Sequence, residues 1–186
     1  MYRMFVRPAG PEGETGADMM ERNGPPMARW IARTSQLSPQ GRVLEIGFGP
    51  GLGLEQLVKI VPDGHVTGLD PSKLMHQRAG RRNAEAVRDG RLTLVEGVAE
   101  AMPFDDNIFD LVVSVDNHHF WTDPQAGLRA ALRVLRPGGR LICAFTLPSG
   151  GSTRGLSRRL QTAGFANPRA LDCPEGEAAE AWKPEQ

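Results

Sequence analysis

Two spacings of apolar residues alternate along this chain. Short, nearly unbroken apolar runs are each followed by a stretch in which apolar side chains return every third or fourth position. Val43-Leu44-Glu45-Ile46 predicts a strand over about 42–47. Leu54, Leu57, Val58 and Val61 then fall at i, i+3, i+4 and i+7, one face of a helix that Pro62-Asp63-Gly64 ends. His65–Leu69 predicts a second strand ending at Asp70, with a helix from Ser72 as cap to about Ala86. Asp89-Gly90 turns the chain into a third strand, Arg91–Val95. Phe109–Val115 is almost wholly apolar, as expected of a central parallel strand covered on both faces. Asp123-Pro124 opens a helix with Leu128, Ala131, Leu132 and Leu135 on one face, and Arg136-Pro137-Gly138-Gly139 stops it. A fifth strand, Arg140–Phe145, and a helix over about 153–163 with Gly164 as C-cap follow. Ala166–Asp172 and about Ala178–Lys183 read as two edge strands, the last antiparallel. Strand–helix alternation at this spacing predicts an α/β chain with a doubly wound, mostly parallel sheet in a single domain.

The first residues depart from this pattern. Residues 1–24 are rich in Gly, Pro and charge, which predicts a flexible arm with at most a short helical turn near Asp18–Arg22. From Pro25 onward Met27, Trp30, Ile31, Thr34 and Leu37 recur at helical spacing. With Pro25-Pro26 in the first turn and Asn23-Gly24 as cap, they predict a helix at about 25–36. Its apolar face suits a lid over the ligand end of the sheet and a helix packed on the sheet equally well. The domain is therefore read as 25–186, behind an arm of 1–24.

Composition narrows the partners. Lys and Arg together number 22, as do Asp and Glu, so the formal net charge is zero. No global charge favours nucleic acid or an anionic membrane. Cys143 and Cys173 form neither a disulfide framework nor a zinc spacing, so no metal is expected and a reducing cytoplasm is the expected compartment. The chain has no apolar run long enough to span a bilayer and no apolar signal-peptide core near its start.

The candidate chemistry starts where the first strand ends. Gly47, Gly49 and Gly51 allow a tight turn whose backbone a ligand can approach, beside the positive end of the next helix. The dinucleotide fingerprint Gly-x-Gly-x-x-Gly fits in neither register, because the third glycine would fall on Leu52 or Leu54. Pro50 also removes an N–H that a pyrophosphate would use. Asp70, at the end of the second strand, can accept both hydroxyls of a ribose. A nucleoside fits these features; a strand-to-helix connection without a ligand also accounts for the glycines.

Glu45-x-Gly47-x-Gly49-x-Gly51 resembles motif I of the class I S-adenosylmethionine-dependent methyltransferases. Gly97–Phe104, the following Asp105–Ser114, His118-His119, Asp123-Pro124 and Arg133-Val134-Leu135-Arg136-Pro137-Gly138-Gly139 resemble the later motifs of the small-molecule type, in the right order. The resemblance covers about 41–146 and is nearest to the quinone-biosynthesis C-methyltransferases. It implies a Rossmann-like methyltransferase fold, S-adenosyl-L-methionine as cofactor and a small-molecule acceptor, with no nucleic acid and no membrane. By resemblance Glu45 orients the methionine amino group, Gly47, Gly49 and Gly51 line the methionine and ribose side, and Asp70 takes the ribose hydroxyls. Leu69 and Met102 would wall the adenine, Ala99 would offer its N–H, and Glu100 and Ser114 complete the expected cofactor set. Val98 departs from the pattern, because an acidic residue commonly stands there to accept from the adenine amino group.

Methyl transfer from a sulfonium needs a general base only where the acceptor must lose a proton. The residues after the fourth strand, Asn117, His118 and His119, are the candidates, and each histidine also reads as a wall residue. Two adjacent histidines in an extended loop do not both face one site. No Asn-Pro-Pro-Tyr or Asp-Pro-Pro-Tyr motif follows that strand, which argues against amino methylation of DNA bases. The expected activity is methylation of a small apolar or aromatic metabolite. The competing reading is a catalytically silent binding or regulatory module on the same fold, and an NAD(P)-dependent dehydrogenase is disfavoured by the glycine register.

Overall fold

A computed structural model of the chain describes residues 2–185. Its strands are β1 (Arg42–Ile46), β2 (His65–Asp70), β3 (Leu92–Glu96), β4 (Phe109–Val115), β5 (Leu135–Thr146), β6 (Ala166–Leu171) and β7 (Gly176–Trp182). Among the described residues they form one sheet, in the order β3-β2-β1-β4-β5-β7-β6. The first five pair in parallel, and β7 runs antiparallel to both its neighbours. The winding direction reverses between β1 and β4. A crevice opens there, outside the carboxyl ends of the strands.

The helices are α1 (Gly10–Asn23), α2 (Pro25–Ser35), α3 (Leu52–Ile60), α4 (Lys73–Arg82), α5 (Ala84–Arg88), α6 (Pro124–Val134) and α7 (Leu156–Ala163). Successive strand residues point to opposite faces, and the core divides accordingly. Val43, Leu111 and Val113 pack with Met27, Trp30, Leu54 and Leu57 on one side. Leu44, Ile46 and Val112 pack with Leu128, Val134 and Leu160 on the other. Leu111, Val112 and Val113 are all fully buried, which explains the unbroken apolar run at the centre of β4. Asp123 caps α6, its Oδ1 accepting from the N–H groups of Gln125 and Ala126 at 3.0 and 2.9 Å.

The largest correction concerns the first 24 residues. In place of a flexible arm, Tyr2–Val6 make a helical turn and Gly10–Asn23 form a four-turn helix packed on the body. Pro11 stands in its first turn, where a missing N–H costs nothing. Gly13 and Gly16 look like helix breakers but are contact points. A Cβ on Gly13 would fall 2.8 Å from the Pro8 backbone and 2.9 Å from Leu74, and one on Gly16 would collide with the Met4 carbonyl. The predicted cap of α2 also differs: Gly24 stands at its N-cap with helical dihedrals and no side-chain bond, and Asn23 belongs to α1.

Smaller differences have local causes. The expected helix from Ser72 to Ala86 divides at Asn83, whose amide donates to the carbonyls of Gly51 and Ala79. β5 begins at Leu135 rather than Arg140, its register against β4 shifting between Phe109 and Leu111. The tail does not form two edge strands. Only β6 lies at the edge, and β7 is inserted between it and β5.

Candidate functional site

A cavity of about 720 Å3 lies at the carboxyl ends of β1, β2, β4 and β5, bounded there by Ile46, Asp70, Val115 and Thr146. That size falls within the range of roughly 300–1,000 Å3 usual for ligand pockets. β1 passes into α3 through a turn in which Gly47, Gly49 and Gly51 have φ of +68, +52 and +83°. Gly47 also allows a close approach: a Cβ there would lie 2.7 Å from Cγ of Asn117.

Two buried carboxyl groups flank this turn. Glu45 is 4 % exposed and faces the cavity, with its Oε2 buried and without a hydrogen-bond partner. Its carboxylate lies against Gly53 in the first turn of α3, and a Cβ on Gly53 would collide with it. Burial, and then the charge on Asp70, push the Glu45 pKa up to about 8. Asp70 is 5 % exposed; its oxygens accept from the backbone N–H of Gly49 at 3.1 Å and of Ser72 at 2.8 Å. Burial raises its pKa to about 6, against the lowering effect of those bonds and of His76.

The loop after β4 is built differently. Asp116 turns the chain with φ of +54°, and its carboxylate accepts from both the N–H (2.7 Å) and the hydroxyl (2.6 Å) of Thr146. Asn117 is fully engaged. Its amide donates to the carbonyls of Ile46 (2.6 Å) and Val115 (2.9 Å), and its Oδ1 accepts from Ser114 (2.8 Å) and Trp121 (2.9 Å). An amide side chain has two donors and two acceptor lone pairs, so none is left for a substrate. His118 turns away from the cavity and is 3 % exposed, its ring against Trp121 and Phe145. Burial, with Arg159 and His119 nearby, lowers its pKa to about 4. His119 lines the cavity beside Phe120, its pKa lowered by burial against the pull of Asp116 and of a backbone bond to Ser149.

Of the sequence candidates, Glu45, Gly47, Gly49 and Asp70 line the cavity, together with Ala99, Glu100, Asn117 and His119. Gly51, Met102, Ser114 and His118 lie outside its wall. Gly51 instead admits α4, since a Cβ there would fall 2.8 Å from that of Ala79. Met102 is buried and offers its carbonyl to Arg133, and Ser114 serves Asn117. Glu100 has one oxygen bound to the N–H of Asp123 at the start of α6. Leu69 and Val98 line the wall, Val98 with 44 % of its surface exposed.

Sequence reasoning offered α2 as a lid but missed α1 as part of the roof. Phe5, Val6, Met19 and Met20 from the N-terminal segment line the cavity, joined by Met27, Ala28 and Ile31 of α2. Ser72 Oγ donates to the Pro8 carbonyl at 2.6 Å, and Met20 Sδ would lie 3.4 Å from a Cβ on Gly49, so this segment crosses the mouth above the glycine turn. α2 is thus both packed on the sheet and part of the cavity wall. Gly13 and Gly16 are contact points of α1, whereas the Gly and Pro content of 1–24 reads in the sequence as a flexible arm. Among the described residues, no group of three His, Cys, Asp or Glu side chains is placed to hold a metal ion, and no helix is long and apolar enough to cross a membrane.

Residues 44–143 match a family described as a methyltransferase domain, Methyltransf_11. The chain is 33 % identical over 112 residues to YdaC, an uncharacterised methyltransferase of Bacillus subtilis (strain 168), covering 60 % of each. It is 42 % identical over 98 residues to 2-methyl-6-phytyl-1,4-hydroquinone methyltransferase 2 of Oryza sativa subsp. japonica, covering 53 % of this chain and 27 % of that one. The chain thus spans 60 % and 27 % of the lengths of these relatives. The crystal structure of a SAM-dependent methyltransferase from Aquifex aeolicus is similar with a TM-score of 0.77 at 18 % identity, over 94 % of this chain and 97 % of that one. At that identity the likeness establishes the fold.

Proposed function

The chain belongs to this methyltransferase-domain family, and on that premise we propose that it transfers a methyl group from S-adenosylmethionine to a small-molecule acceptor. The observation that carries the reading is the pair of buried carboxyl groups, Glu45 and Asp70, on either side of the left-handed glycine turn. The residues present fit the cofactor. Glu45 lines the cavity and has a buried oxygen without a hydrogen-bond partner, which suits an ammonium group. Asp70 uses its two oxygens for one backbone bond each. A carboxylate offers about four acceptor positions, so it can also take two ribose hydroxyls.

When bound, the sulfonium supplies a methyl carbon already activated for displacement, the electron pair of the broken bond staying on sulfur. The protein's tasks are then to orient the acceptor and exclude water. The glycine turn lets the backbone approach the ligand, and the apolar roof keeps water out. Val98 and Ala99 wall the adenine side. Loss of an acidic acceptor at position 98 costs about 0.5–1.5 kcal/mol of binding. His119 lines the cavity after β4, and we read it as the group that takes a proton from the acceptor.

Calorimetric titration with S-adenosylhomocysteine, beside NADH as control, tests the reading. The expected result is micromolar or tighter binding with NADH silent, weakened by Asp70→Ala at least about tenfold through lost charge-assisted bonds. Unchanged affinity in that variant would show the site assignment to be wrong. Binding of the cofactor without product across an acceptor panel would favour the silent-module reading.

A further inference from the structure

We infer that Ser72 is a positioning residue that couples the carboxylate of Asp70 to the roof, so that nucleoside binding and closure of the N-terminal segment support each other. This rests on the cofactor reading above and deepens it by naming how that site is closed. Ser72 follows β2, is 2 % exposed and stands outside the cavity wall, so it acts on a ligand through its neighbours. Its backbone N–H donates to Asp70 Oδ1 at 2.8 Å. Its hydroxyl donates to the Pro8 carbonyl at 2.6 Å and accepts from the Met75 N–H at 3.3 Å. A hydroxyl has one proton to give, and this one goes to a residue 64 positions away.

The two ends of this relay are a ligand-binding group and a joint. Asp70 accepts from the Gly49 N–H with its other oxygen, at 3.1 Å, so its carboxylate lies between the glycine turn and Ser72. Pro8 is buried between the helical turn of Tyr2–Val6 and α1, and a Cβ on Gly13 would meet its backbone at 2.8 Å. On either side of it the Arg7 N–H donates to the Tyr2 carbonyl at 2.9 Å and the Ala9 N–H to the Arg3 carbonyl at 3.0 Å. Pinning Pro8 therefore holds Phe5, Val6 and, through α1, Met20 over the cavity. The ion pairs of α1 with Arg78 meet water, whereas the Ser72 tie is buried and keeps its strength in salt. Ribose hydroxyls on Asp70 would fix its carboxylate against Ser72, and with it the donor aimed at Pro8. By linkage, the closed roof then favours the ligand by the factor by which the ligand favours the closed roof.

Ser72 is also the N-cap of α4, and the test separates the two roles. Glycine serves nearly as well as serine at an N-cap and keeps the backbone N–H on Asp70, so Ser72→Gly removes the tie and little else. Calorimetry is expected to show S-adenosylhomocysteine bound roughly two- to tenfold more weakly by this variant, the range that one net hydrogen bond covers. The Arg7 and Ala9 amides should exchange hydrogen about fivefold faster with α4 amides unchanged, and Ser72→Thr, which keeps the hydroxyl, should restore both readouts. Unchanged affinity in Ser72→Gly, or faster exchange in α4 without any at Arg7 and Ala9, would overturn the inference and leave the serine a helix cap. Should Ser72→Gly not fold, the unsubstituted chain decides: S-adenosylhomocysteine must slow exchange at Arg7 and Ala9, and no change there sinks the coupling while leaving the cofactor reading intact. Failure of the unsubstituted chain to take up S-adenosylhomocysteine would sink the cofactor reading, and this inference with it.

Discussion

The cavity has two polar shoulders whose principal side chains, Glu45 on one and Asn117 on the other, are in opposite states. At the ends of β1 and β2, Glu45 and Asp70 are buried with hydrogen-bonding capacity unspent, and one Glu45 oxygen has no partner. After β4, Asn117 has closed its capacity onto the protein, and Asp116 ties each of its oxygens to Thr146. Burying a carboxyl group without full compensation costs free energy, so the first shoulder is held in a state that a ligand would relieve. The second holds strands β1, β4 and β5 in register at the point where the winding reverses. Counting donors and acceptors separates Asn117, which is saturated, from Glu45, which is not.

The sharpest break of this contrast is Asn117→Ala. Four hydrogen bonds disappear, two of them across to β1 and to the Trp121 indole. At about 1 kcal/mol net for each, the expected loss is roughly 2–4 kcal/mol in a urea melt. A loss under about 1 kcal/mol would mean that the amide is not the lock described. Glu45 should give a different signature, one of pH. Its folded pKa of about 8 lies above the ordinary 4.5, so between those values the folded chain holds a proton that the unfolded chain has released. Stability then falls as pH rises through that window, by up to roughly 5 kcal/mol, and Asp70, raised to about 6, adds in the same direction on its acid side. Glu45→Gln should flatten the profile between pH 5 and 8.5, as should a bound cationic cofactor. His118 runs the other way: its pKa of about 4 lies below 6.5, so its contribution is lost as pH falls through that interval.

The contrast also explains what was legible in the sequence. β1, the glycine turn and Asp70 could be read because each is a local signal: an apolar run, left-handed glycines and a strand-end carboxylate. The role of Asn117 was hidden because its decisive partner, Ile46, is 71 residues away. The histidine pair was legible only as an exclusion. That one of the two faces away follows from chain geometry, but that it is His118 follows from packing against Trp121 and Phe145. α1 was missed in part for the same reason as Asn117: a Cβ on Gly13 would meet Leu74 of α4, distant in the chain, as well as the nearby Pro8. The insertion of β7 beside β5 is a topological choice that no short pattern encodes.

The smallest effect concerns how the roof is fastened over the unspent shoulder. Glu14, Asp18 and Glu21 fall on one face of α1, and the Arg78 guanidinium of α4 binds all three. Arg82 adds Glu21 and Glu55. These carboxylates are 31–59 % exposed, so water and salt screen them. Arg78→Gln should therefore lower global stability by no more than about 1 kcal/mol. Its effect should appear locally, as faster hydrogen exchange of the α1 amides by about fivefold with β4 amides unchanged. Raising salt to about 1 M should reproduce the change in the unsubstituted chain. If α1 keeps its protection under both treatments, the roof is held by its glycine contacts and by Pro8 on Ser72. Access to Glu45 and Asp70 would then be governed by packing rather than by charge.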